Sequence, residues 1–144
     1  MNLTKEIVEL FVNLRNDYGF YLTHIGVQDT PVSVAVHDGY FNSHGGKTIV
    51  TMEPMNGPIF DEIKYQLKEL GNIFGDEFVL ASNSKYIKLE NKSYFVLVRD
   101  PLGLKGFAYS HLLALDGFQN KKYFDEIVYP VAAACNAKVS IIPK

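Results

Sequence analysis

The sequence predicts an α+β fold: a single domain over residues 1–144, with a mainly antiparallel sheet (a hairpin plus a three-strand meander) and three main helices in one layer upon it. Three observations lead there. Short β-branched runs follow one another with only turn residues between them, most clearly over residues 77–99. Apolar residues recur at helical spacing in three separate stretches. Helices do not separate every pair of strands, as a fully parallel sheet would require.

The first helix is expected from Thr4 to Tyr18, where Leu3, Ile7, Leu10, Phe11 and Leu14 form one stripe and Gly19 supplies a stop. Phe20–Val27 reads as a strand, and Gln28–Pro31 as a turn. Val32, Val34 and Val36 alternate with Ser33, Ala35 and His37, the pattern of a half-buried strand. Asp38-Gly39 suits a tight turn, and Thr48–Met52 reads as the next strand.

Pro58 starts a helix that runs to about Phe74, with Ile59, Phe60, Ile63, Leu67, Leu70 and Phe74 on one face. The meander follows as Glu77–Ala81, Lys85–Glu90 and Ser93–Arg99. Ala108–Leu115 is expected as a short helix. A last helix is expected from Asn120 to Asn136, kinked or split by Pro130 because proline removes a helical hydrogen bond. Val139–Ile142 closes the chain as a strand. Helix, hairpin, helix and meander is an order similar to that of PAS-, GAF- and profilin-type sandwiches. The likeness is one of topology, carried by no motif.

Composition excludes several classes. The formal net charge is −2 with lysines spread along the chain, so no basic stripe exists for duplex nucleic acid. The single cysteine, Cys135, forms no internal disulfide and no cysteine-based zinc site. No apolar run reaches the ~20 residues of a membrane helix, and the N-terminal residues carry charges at Lys5, Glu6 and Glu9 in place of a signal core. A cytoplasmic location is the expectation. Nine tyrosines are more than a core of this size hides easily, since each buried hydroxyl needs a partner, so some should line a groove or interface.

The stretch HDGYFNSHGGKTIV, residues 37–50, carries the densest chemistry. Its GGKT ending copies the close of a P-loop, but the glycine that motif needs five positions before Gly46 is Phe41. The residues after it are β-branched, so the phosphate-holding helix is missing too. A looser anion site survives, with Gly45 and Gly46 turning backbone N–H groups outward and Lys47 as counter-charge. Histidine clustering offers a rival: His24, His37, Asp38 and His44 would make a metal or acid–base set, although no established metal spacing is present. Strand phase puts His37 on the exposed side. His111 is expected at a helix rim, and Cys135 as a small core residue. Asp61-Glu62 and Asp125-Glu126 are consecutive on helices and diverge by ~100°.

Arg99, one of only two arginines, ends a meander strand beside the glycine-bearing loop that holds Lys105. The expected function is a non-enzymatic binding module, homo-oligomeric and without cofactor or metal. It would take a small anionic or nucleotide-like ligand through His37, Tyr40, His44, Gly45, Gly46, Lys47, Arg99 and Lys105. A metal-dependent hydrolase built on His24, His37, Asp38 and His44 is the first alternative. An inhibitor of a partner protein with no small ligand is the second.

Overall fold

A computed structural model of the chain describes residues 30–41, 46–54, 57–74, 79–83, 85–98, 108–117 and 124–143. Within them lie helix α1 (Pro31–Tyr40), strand β1 (Thr48–Met52), helix α2 (Pro58–Phe74), strands β2 (Val79–Ser82), β3 (Tyr86–Leu89), β4 (Tyr94–Val98) and β5 (His111–Leu115), helix α3 (Tyr129–Cys135) and strand β6 (Lys138–Ile142). The expected helix over 4–18 and strand over 20–27 fall outside the described residues.

The six strands form one mixed sheet in the order β2-β3-β4-β1-β5-β6. Only β2/β3 and β3/β4 pair antiparallel. β1 lies between β4 and β5 and is parallel to both, and β6 is parallel to β5. The α+β class therefore holds, while the mainly antiparallel sheet does not, and neither does the sandwich likeness that implied one. Nor do the helices share one face. Ile49, Phe95, Leu97, Leu113 and Leu115 pack under α1 and α2, whereas Val50, Met52, Leu112 and Ala114 pack against the segment containing α3. Successive residues of a strand point to opposite faces, so each central strand feeds two cores.

Two elements differ from expectation for local reasons, and a third, the last helix, is split as expected. Residues 32–36 are helical. The Thr30 hydroxyl accepts from Ser33 N–H at the N-cap and Pro31 occupies the first turn, both start signals for a helix. Val32, Ala35, Val36, Gly39 and Tyr40 then form a buried face at helical spacing, which the Val-x-Val-x-Val alternation disguises. Residues 111–115 form a strand because all five are buried between neighbours on both sides, and such a run carries no period. The last helix is interrupted: Phe124–Val128 takes a π-helical turn before α3, so the widened turn falls just ahead of Pro130. Asn136 ends α3 in the left-handed conformation, and Ala137 N–H donates back to Ala132 O.

Helix α2 agrees with expectation, burying Ile59, Phe60, Ile63, Leu67 and Leu70 against the sheet. The β3–β4 turn relies on Lys92 at φ 72°, with Lys92 N–H donating to Leu89 O. Near the carboxyl end of β1, Thr51 is fully buried and its hydroxyl has no hydrogen-bond partner among the described residues. A buried unmade hydrogen bond costs about 1–3 kcal/mol. Thr51→Val keeps the shape and removes the hydroxyl, and should raise stability by about 1 kcal/mol in urea unfolding. A lowered midpoint would contradict it.

Candidate functional site

The sheet brings one polar cluster together at the amino ends of its parallel strands. Asp38 sits on the last turn of α1, and His111 opens β5 on the face that carries Leu113 and Leu115 toward α1. His111 Nε2 lies 2.8 Å from Asp38 Oδ2, and both side chains are largely buried. A carboxylate can only accept, so Nε2 carries the proton and Nδ1 is the basic nitrogen of the neutral ring. Lys47, just before β1, brings Nζ to 3.9 Å from the same oxygen while its side chain stays 39% exposed. The histidine thus holds the short contact and the lysine the loose one.

Backbone architecture fixes this arrangement. Ser93 Oγ donates to Gly39 O at 2.7 Å and accepts from Lys47 N–H at 3.2 Å, tying the end of α1 to the entry of β1. Asn91 Nδ2 donates to Gly39 O and Tyr40 O, satisfying carbonyls that the helix end leaves without partners. A Cβ on Gly39 would stand 3.0 Å from the Phe95 ring and 3.1 Å from Ile49 Cδ1, so glycine lets α1 approach the sheet. A Cβ on Gly46 would overlap the Lys92 carbonyl, which places Lys47 by the close pass of two backbones.

The other residues expected at a site distribute differently. His37 is buried, which overturns its expected exposure, and burial lowers its pKa to about 4. Tyr40 is fully buried, with its ring edge-on to Phe41. Gly46 is exposed beside Lys47. His24, His44, Gly45, Arg99 and Lys105 lie outside the described residues. Among the described residues Asp38 meets His111, the histidine expected at a helix rim. Among the described residues no three His, Cys, Asp or Glu side chains converge as a metal set, and no helix is long and apolar enough to cross a membrane. Of the tyrosines, Tyr65 and Tyr129 are exposed, while Tyr109 is buried and donates to Val128 O.

At the opposite, carboxyl end of β1 stands a group the sequence reading missed. Glu53 is fully buried, and its two oxygens accept from Ile59 N–H at 3.0 Å and Phe60 N–H at 3.1 Å. It caps α2 from five residues before the helix begins. Burial raises its pKa to about 7, against the pull of those two hydrogen bonds, and nearby Asp61 adds to the rise. Open α/β sheets usually bind ligands at the carboxyl ends of parallel strands, but this carboxylate is already committed to the helix.

Compared with known proteins, the chain matches no family model and no curated relative.

Proposed function

We propose that this chain is a non-enzymatic, cytoplasmic binding module for a small anionic or nucleotide-like ligand, with Gly46, Lys47 and His111 at the rim that meets it. One observation carries the reading: Lys47 keeps a solvent-facing ammonium beside a carboxylate whose short contact is made with His111. A contact as loose as 3.9 Å, made by a lysine that stays 39% exposed, is worth under ~1 kcal/mol, so an incoming anion displaces little when it recruits the lysine. When His111 is protonated, the Asp38, His111 and Lys47 cluster carries one net positive charge. His44, Gly45, Arg99 and Lys105 belong to the same proposal as further ligand-facing groups, and a homo-oligomer as its assembly.

The test is calorimetric titration with ATP, pyrophosphate and inorganic phosphate at low and at physiological salt. Saturable binding should appear for at least one of them and weaken about tenfold in Lys47→Ala. No binding by any of the three, or affinity unchanged by that substitution, rejects this rim as an anion site.

A second reading, a small hydrolase, is favoured by the 2.8 Å Asp38–His111 contact, because a carboxylate that orients an imidazole leaves Nδ1 to accept a proton from water. It differs from the expected metal set in using His111. Turnover of a p-nitrophenyl ester or phosphate, abolished by His111→Ala, would favour it over simple binding.

A further inference from the structure

Among the described residues strand β6 ends the sheet, and its backbone faces two ways. Lys138 N–H donates to Ser110 O and Ile142 O accepts from Asp116 N–H, so residues 138, 140 and 142 turn their amides inward to β5. Alternation then points the N–H and C=O groups of Val139 and Ile141 out of the sheet. Ile141 is 39% exposed, an uncommon degree for isoleucine on a strand. Along this edge runs a cleft of about 310 Å³ between the first turn of α1 and β6, lined by Thr30, Pro31, Val34, Lys138, Val139 and Ser140. One wall is apolar helix, the other is open strand edge, and Lys138 stands at the amino end of the strand.

We infer that this cleft receives the C-terminal segment of an apolar, extended peptide, added to the sheet antiparallel to β6 with its terminal carboxylate at Lys138. An antiparallel strand ends its chain at the amino end of β6, where Lys138 is the cation among the described lining residues. Val139 and Ile141 supply the backbone hydrogen bonds, and Pro31 and Val34 accept the last side chain. The positive end of the α1 dipole reinforces the charge of Lys138 on the carboxylate. A longer apolar strand without a free end would leave Lys138 unused. The site requires neither Lys47 nor the anion-binding reading above.

The test uses the full chain and a fluorescent, N-acetylated pentapeptide of alternating Thr and Val, as the free acid and as the C-terminal amide, followed by anisotropy. The free acid should bind saturably and the amide about tenfold more weakly. Lys138→Gln should erase that difference. Ile141→Pro removes an outward N–H at an edge position, where proline is tolerated, and should abolish binding of both peptides. If Ile141→Pro lowers the unfolding midpoint, the acid–amide comparison in Lys138→Gln decides alone. Lys47→Ala should leave the peptide affinity unchanged. The inference is overturned by equal affinity for acid and amide, by a difference that survives Lys138→Gln, or by loss of peptide binding in Lys47→Ala. It is also overturned if the protein alone self-associates through this edge and Ile141→Pro abolishes that association, since the occupant is then a second copy of the chain.

Discussion

Asp38→Ala should destabilise the fold by about 2–4 kcal/mol, whereas Lys47→Ala should cost less than about 1 kcal/mol, although both remove a partner from the same cluster. Distance and burial decide the ranking. His111 approaches the carboxylate to 2.8 Å with both side chains only 11–12% exposed, while Lys47 stands off at 3.9 Å and is 39% exposed. Removing Asp38 leaves a largely buried imidazole N–H facing a void, which costs the desolvation of that donor as well as the bond. It also unfastens α1 from β5, an attachment across 73 residues of sequence. Asp38→Asn separates the two contributions. Its amide oxygen can still accept from Nε2, so the part of the loss that persists in this variant is the part due to charge. Chemical denaturation of Asp38→Ala, Asp38→Asn, His111→Ala and the double alanine variant completes the cycle. Coupling near zero between positions 38 and 111 would show that the pair adds nothing to the fold.

Elements whose evidence is local were legible. Helix α2 repeats its apolar face over four turns and starts at a proline, and the meander is bounded by Asn-containing turns, so both emerge from short-range pattern. Helix α1 was misread although Thr30 and Pro31 announce it, because three valines at every second position imitate a strand. The parallel pairing of β1 was not legible at all. Its register, Ile49 beside His111, joins segments far apart in sequence, and no turn chemistry marks such a contact. The site inherits that asymmetry. Residues 37–47 stood out by composition, and Asp38 and Lys47 do meet there. Their partner His111 could not be found without the sheet order, since its role depends entirely on which strand lies under α1. Glu53 carried a faint signal: a carboxylate a few residues before Gly57-Pro58, where a capping acid can reach back to a helix start. A Cβ on Gly57 would overlap Glu53 Oε1, so the glycine that reads as loop filler makes room for the cap.

Glu53→Gln should match the wild-type stability near pH 4.5 and exceed it by about 1–3 kcal/mol near pH 8. Burial raises the Glu53 carboxyl from 4.5 to about 7, so between those values the folded chain holds a proton that the unfolded chain has released. The resulting stabilisation is complete below pH 4.5 and is lost as pH rises through 7. Glutamine mimics the protonated acid, with one oxygen to accept and no charge to bury, and is blind to that change. His37 works in the opposite sense. Burial lowers it from 6.5 to about 4, so the unfolded chain takes up a proton over that range that the folded chain refuses. Its stabilisation is complete above pH 6.5 and is lost as pH falls toward 4. The two windows overlap between pH 4.5 and 6.5 with opposite slopes, and in the wild type they largely cancel. Each single substitution therefore uncovers the other group: Glu53→Gln should lose stability on acidification from pH 7 to 4.5 more steeply than the wild type. His37→Leu should lose less on acidification than the wild type, or gain, and the double variant should return to a slope close to the wild type's. Urea midpoints of the four proteins across pH 4.5–8 measure this directly, because the remaining titratable groups contribute the same background to each. Parallel curves for wild type and Glu53→Gln would mean that the capping carboxylate titrates at its ordinary value, and that the two amide hydrogen bonds of α2 offset its burial.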